Sequence, residues 1–144
     1  MTRRLALVAL AGVLLAACGS IKLSTAMVSW AHDTGFLSTA KSLSVDAAHA
    51  ASALRSPSSG VNELHTVCGV LLLKVQMAQT NLPTPDDQAT TSLDHAYGDL
   101  GAAANECYRA DRNVSKRAGA LGYLARGVAR LSEGSARVAT ASLP

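Results

Sequence analysis

The sequence predicts an all-α fold, an antiparallel bundle of about four helices that follows an N-terminal signal segment. The 144 residues include 27 alanines, and Ala loses no side-chain entropy in a helix. Only five residues are aromatic, and β-branched residues are few, which disfavours strands. Apolar residues recur at three- and four-residue steps between clusters of turn residues. An apolar content of 49% excludes a disordered chain, and the length indicates one domain.

The N-terminus has the pattern of an export signal. Arg3 and Arg4 precede residues 5–17, an uninterrupted run of Leu, Ala, Val and Gly. As a helix this run would span roughly 20 Å, short of the roughly 30 Å hydrocarbon core of a bilayer. It therefore predicts the apolar region of a signal peptide and not a stable membrane span.

The end of this run, Leu15-Ala16-Ala17-Cys18, resembles the lipobox of bacterial lipoproteins. The resemblance implies cleavage before Cys18, a diacylglycerol on its sulfur, and an anchor on the extracytoplasmic face of the cell membrane. An ordinary secretory signal, with a cut site that lies near a cysteine by coincidence, is the alternative.

The resemblance divides the chain into a signal peptide (1–17), a lipidated N-terminus and tether (18–23) and a single helical-bundle domain (24–144). Removing 17 residues takes away two arginines, which leaves 11 basic and 10 acidic side chains and a net charge of +1. Nucleic-acid binding needs a stronger basic footprint, so we predict no nucleic-acid partner.

Three cysteines occur, Cys18, Cys68 and Cys107. If Cys18 is acylated, an oxidising compartment permits one pairing, and we predict a disulfide between Cys68 and Cys107. The alternative is two buried thiols that pack as small hydrophobes. A structural zinc site normally needs four ligands, so we predict no metal.

The first half of the domain contains two helical stretches. Residues 24–55 predict one long helix or two shorter ones broken near Gly35, and the breaker cluster 56–60 predicts a turn. Residues 61–82 predict a helix with one apolar face, formed by Leu64, Val67, Cys68, Leu71, Val75, Ala78 and Leu82. Its other apolar residues, Val70, Leu73 and Met77, form a second surface, so we expect this helix to be mostly buried.

The next helix is expected to be capped by Thr84, with Pro85 at its first position. Cys107 lies on its apolar face. A tight antiparallel hairpin centred near residue 84 would place Cys68 roughly 10 Å along the axis from Cys107. The disulfide therefore requires a looser connection, a late helix start or a large crossing angle.

The last helix is expected to begin near Asn113, a good cap residue. Arg126, Arg130 and Arg137 lie opposite its apolar side. Seven basic and two acidic side chains follow residue 108, whereas three basic and eight acidic ones occupy 23–108. Either this helix lies beside acidic helices and presents a solvated basic face, or these three arginines contact anionic lipid headgroups.

No catalytic constellation is assembled in the sequence. The chain contains no HExxH, GxSxG or phosphate-cradling glycine loop. His95 and Asp99 are spaced to share a metal on one helix face, but a solvated polar pair is the commoner meaning of that spacing. We therefore predict no enzyme activity and no cofactor.

Three further segments support the envelope assignment. Leu64-His65-Thr66-Val67-Cys68, Leu82 to Asp86, and the Ala96-Tyr97 and Cys107-Tyr108 pairs resemble segments of small helical lipoproteins of GC-rich Gram-positive bacteria. That resemblance implies a location and no activity.

The sequence therefore predicts a membrane-anchored envelope lipoprotein that acts as a non-enzymatic interaction or scaffold domain. Its partners would be the membrane, through the lipid on Cys18, and an envelope protein that the sequence does not identify. Nor does the sequence indicate an oligomeric state. The alternative is a carrier that binds a small hydrophobic ligand between its helices, which predicts an apolar cavity of a few hundred Å³.

Overall fold

A computed structural model describes residues 23–144, and these residues confirm the all-α class. The helices are α1 (residues 23–33), α2 (Phe36–Arg55), α3 (Val61–Gln79), α4 (Asp87–Tyr108) and α5 (Val114–Ala141). They pack as a bundle around one apolar core rich in Ala and Leu. The predicted signal peptide, Cys18 and most of the predicted tether lie outside the described residues.

The first stretch forms two helices, separated at Gly35. Gly35 has a φ of 59°, in the left-handed region that glycine adopts at no steric cost. Trp30 of α1 packs on Phe36 of α2, with ring centroids 5.2 Å apart, and its Nε1 donates to the Asn81 carbonyl at 2.9 Å. The break therefore lets α1 pack against the segment that joins α3 to α4.

Helix α3 is buried on one face only. The predicted core residues Leu64, Cys68, Leu71, Val75 and Ala78 are buried. The prediction of a mostly buried helix is wrong, because Val70, Leu73 and Met77 are 41%, 63% and 70% exposed. Of the helices α2, α4 and α5, α3 contacts α2 and α4 but not α5. It therefore lies at an edge of the bundle, with its outer face exposed.

Helix α4 begins later than predicted, because Asp86 and not Thr84 is its cap. Asp86 Oδ1 accepts from the Ala89 backbone N–H at 2.7 Å. The Thr84 hydroxyl donates instead to the Asp86 carbonyl, at 2.7 Å, which closes the turn that precedes the helix. Asn113 is the cap of α5, as predicted, and accepts from the Lys116 backbone N–H at 2.9 Å.

The late start accounts for the register of the two cysteines. Cys68 lies 11 residues before the end of α3, and Cys107 lies 20 residues after the start of α4. The difference of nine residues is about 14 Å of helix axis. The linker 80–86 can extend up to about 23 Å. It can therefore carry the chain this distance past the end of α3 before α4 begins, so that Cys107 lies beside Cys68.

Helices α4 and α5 form the closest pairing. Gly127 of α5 lies against Leu100, and Gly134 lies against Leu93, so close that an added Cβ would come within 2.8 and 2.7 Å of the leucine side chains. Since the glycine number rises as the leucine number falls, the two helices run in opposite directions. The missing side chains of these glycines allow the two backbones to approach.

The bundle has two ends that the rest of the description uses. The proximal end holds α1, linker 80–86 and the last turns of α5, while the distal end holds turns 56–60 and 109–113. Helix α2 connects the two ends with 20 residues, about 30 Å of helix.

Candidate functional site

The three arginines predicted as a basic face lie beside the acidic side chains of α4. Arg130 Nη1 donates to Asp99 Oδ2 at 2.7 Å, and Arg126 Nε lies 3.8 Å from the other oxygen of Asp99. The Arg126 guanidinium also covers the Tyr123 ring, 4.5 Å from its centroid. These contacts favour the interpretation that α5 lies beside acidic helices, since its charge is largely compensated within the bundle.

Arg137 forms the best-organised ion pair of the described residues. Its Nε and Nη2 donate to the two carboxylate oxygens of Asp86, at 3.0 and 2.8 Å. The hydrogen bond from Arg137 lowers the pKa of Asp86, against the raising effect of burial, and the Ala89 N–H lowers it further. Asp86 therefore caps α4 and fixes its first turn to the last turns of α5 with the same carboxylate.

Cys68 and Cys107 lie together in the distal half of the bundle. Their Cα atoms are 5.9 Å apart, within the range that a disulfide requires, and both residues are fully buried. Beside them His65 stacks on Tyr108, with ring centroids 4.0 Å apart. The pair thus links α3 to α4 in the half of the bundle away from α1.

The histidines do not converge on a reactive centre. Asp99, which the sequence placed with His95 on a polar face, is directed to Arg130 instead. His32 contacts Asp33 at an exposed position, and the hydrogen bond from His32 is the main cause of the lowered pKa of Asp33. Residues 23–144 contain no group of three or more His, Cys, Asp or Glu that could hold a metal ion.

Arg117, which the sequence analysis did not single out, organises the distal end. Its guanidinium donates to the carbonyls of Leu54, Ser56 and Ser59, at 3.3, 2.7 and 2.9 Å, and its Nε donates to the Asp111 carbonyl. A cation at the C-terminus of α2 is favourable for the helix dipole. The sequence signal was a basic residue in the first turn of α5, where an acidic one is the usual choice.

A groove of about 420 Å³ opens beside Arg117. Three arginines line it, Arg55, Arg112 and Arg117, together with the apolar residues Leu54, Val114 and Leu121. None of its lining residues is acidic. This distal groove therefore combines apolar side chains with a concentration of positive charge.

A second groove, of about 520 Å³, lies at the proximal end. Val28, Ala31, Leu37, Val138 and Ala139 give it an almost entirely apolar lining. It is an open surface groove and not an enclosed cavity between helices.

The sequence and structure were compared with those of known proteins. Within the described residues, no helix combines the length and apolarity needed to cross a bilayer. No family model, no curated protein and no solved structure matches this chain.

Proposed function

We propose that this protein is a membrane-anchored envelope lipoprotein, a non-enzymatic interaction domain held on the extracytoplasmic face through a lipid on Cys18. The observation that carries the proposal is the Leu15-Ala16-Ala17-Cys18 segment, preceded by a charged and then an apolar region. The domain itself would be an antiparallel up-down bundle, in line with the opposite directions of α4 and α5.

The position of the domain relative to Cys18 supports this arrangement. Four residues separate Cys18 from residue 23, the first described residue of α1, so the connection can extend by less than about 18 Å. A lipid on Cys18 would hold the proximal end near the membrane. The distal end, about 30 Å away along α2, would then face the envelope.

The buried cysteine pair fits the same location. Disulfides persist in exported proteins and are rare where thiols are kept reduced. Two cysteines in bonding range therefore agree with a domain that functions outside the cytoplasm.

Replacing Cys18 by Ser tests the anchor. We expect wild-type protein to remain with membranes after an alkaline carbonate wash, and the Cys18→Ser variant to be released or to persist as uncleaved precursor. Ser44→Ala is the control, since it changes an exposed position of α2 without touching the anchor or the cysteine pair. Equal membrane retention of mature Cys18→Ser and wild type would refute the proposal.

The proximal groove favours the second candidate, a carrier for a small hydrophobic ligand. Its volume lies within the range of small-molecule sites. Saturable binding of Nile red that is lost on Leu37→Arg, a substitution at an exposed residue of the groove lining, would support a carrier. Equal dye binding by wild type and Leu37→Arg would count against it.

A further inference from the structure

The cationic residues of the distal groove differ from those of α5 that face α4. Ion pairs engage Lys74, Arg126, Arg130 and Arg137 with carboxylates. Among the described residues, no carboxylate lies within 4.0 Å of the charged nitrogens of Arg55, Arg112 or Arg117. The arginines of α5 that face α4 are thus paired with carboxylates, whereas the three arginines that line the distal groove form no ion pair within the described residues.

The three arginines have different freedom to bind. Arg117 is held by four backbone carbonyls, so it contributes a fixed charge. Arg55 ends α2 and Arg112 lies in turn 109–113, and both are exposed. Their guanidinium groups can each form two parallel hydrogen bonds to a carboxylate.

The lining of the groove also has an apolar component. Val114, at the first position of α5, is 80% exposed, and the half-buried Leu121 lines the same groove. Arginine around an exposed apolar patch is the composition that protein interfaces favour at their energetic centres. Because the groove is open along one side, it suits a chain segment laid across it better than an enclosed small molecule.

We propose that the distal groove docks an acidic segment of a partner protein, in which an apolar side chain contacts Val114 and flanking carboxylates pair with Arg55 and Arg112. The inference rests on the proposed function in that the partner is an envelope protein and the groove faces away from the anchor. Charge complementarity selects an acidic segment over a basic or neutral one.

The test uses the full chain in nanodiscs of phosphatidylcholine and a short fluorescein-labelled peptide with a Leu-Phe pair flanked by Glu residues. We expect saturable binding by fluorescence anisotropy that weakens with salt. The double variant Arg55→Gln/Arg112→Gln should bind on the order of tenfold or more weakly. The matched control Lys41→Gln/Arg126→Gln removes the same charge from exposed positions elsewhere and should bind as wild type does.

Two peptide variants separate the components. Replacing Glu by Gln should abolish binding, and replacing Leu-Phe by Ser-Ser should weaken it, as should Val114→Ser in the protein. If Lys41→Gln/Arg126→Gln lost as much peptide affinity as Arg55→Gln/Arg112→Gln, the effect would come from net charge alone, and the proposal would be overturned. So would full competition by inorganic phosphate, or preferential binding of anionic vesicles without peptide. The Cys18→Ser protein in solution, which carries no acyl chain, should bind the peptide as wild type does in nanodiscs, so failure of the groove is distinguishable from failure of the anchor.

Discussion

Two glycines set the separation of α4 and α5. An added Cβ at Gly127 would meet the Leu100 side chain at 2.8 Å and its backbone nitrogen at 3.0 Å, and one at Gly134 would meet Leu93 at 2.7 Å. We expect Gly127→Ala and Gly134→Ala each to lower the free energy of unfolding by about 1–3 kcal/mol, because overpacking forces the helices apart. Chemical denaturation measures the change.

Gly119 provides the matched control in the same helix. Nothing lies within 4 Å of an added Cβ there, so Gly119→Ala should stabilise the protein by up to about 1 kcal/mol through helix propensity. If all three substitutions stabilised equally, the close approach of α4 and α5 would be refuted.

Asp86 gives the fold a dependence on acid. The lowered pKa of its carboxyl means that the paired form stabilises the folded state above the unfolded value of about 3.9, and that this contribution is lost as pH falls through the folded value. Asp86→Asn keeps a capping residue but removes the charge that Arg137 contacts. Its melting temperature should lie below that of wild type at neutral pH, and the gap should narrow below about pH 4.

Asp87 serves as the control for this effect. It is exposed in the first turn of α4, so Asp87→Asn removes the same charge near the same helix end. The proposed role of the Asp86–Arg137 pair would be contradicted in two cases. In one, the melting temperature of Asp86→Asn lies below that of wild type by the same amount at every pH; in the other, Asp87→Asn lowers the melting temperature equally.

For single residues, the sequence predicts which residue types can cap a helix or lie at a close contact better than it predicts which atoms they meet. Asn113 is a cap, as expected, because nothing competes for its side chain. Thr84 and Asp86 are both good capping residues, and the choice depends on the Thr84 hydroxyl already closing the preceding turn. The glycines that lie at a helix contact are set by the register between α4 and α5. The spacing of residues within one helix does not predict that register.

Among the helices, the pair Cys68–Cys107 is the strongest candidate for a covalent link. The two residues are 39 positions apart, and a bridge across such a loop is worth roughly 3–4 kcal/mol in the chain-entropy model. We expect Cys107→Ala to lower the melting temperature markedly under non-reducing conditions. Wild type in reductant should approach the variant.

Thiol labelling checks the same link directly. Alkylation of unfolded, non-reduced protein from the envelope should leave Cys68 and Cys107 unmodified in wild type and label Cys68 in Cys107→Ala. Labelling of both residues in wild type would show that they are free thiols packed in the core. The predicted loss of stability in reductant would then be wrong.

The helices show where sequence periodicity reaches its limit. The buried stripe of α3 was predictable because its spacing fits one helix face. The exposure of Leu73 and Met77 was not predictable. Their hydrophobicity indicates that burial is favourable, but it does not indicate whether a neighbouring helix is present to bury them. The register of the cysteines similarly depends on a linker conformation that residues 80–86 do not reveal by periodicity.

Over the described part of the chain, the arginines divide into a set paired with carboxylates and a set at the distal groove that forms no ion pair. The excess of basic residues after residue 108 was visible in the sequence, but its division was not, because it depends on which carboxylates each arginine meets across the bundle. Arg126, Arg130 and Arg137 meet Asp99 and Asp86, whereas Arg55 and Arg112 come together from distant parts of the chain. The distal groove therefore emerged only from the packed helices.

The central claim is that this bundle is held at the membrane by a lipid on Cys18, and intact mass spectrometry of the protein purified from the envelope tests it most directly. We predict a mature chain that begins at Cys18 and carries the added mass of a diacylglycerol with or without a further acyl chain. The Cys68–Cys107 disulfide should make it two hydrogen atoms lighter than the chain with two free thiols. A chain cleaved elsewhere, or one that begins at Cys18 with no added mass, would contradict the account.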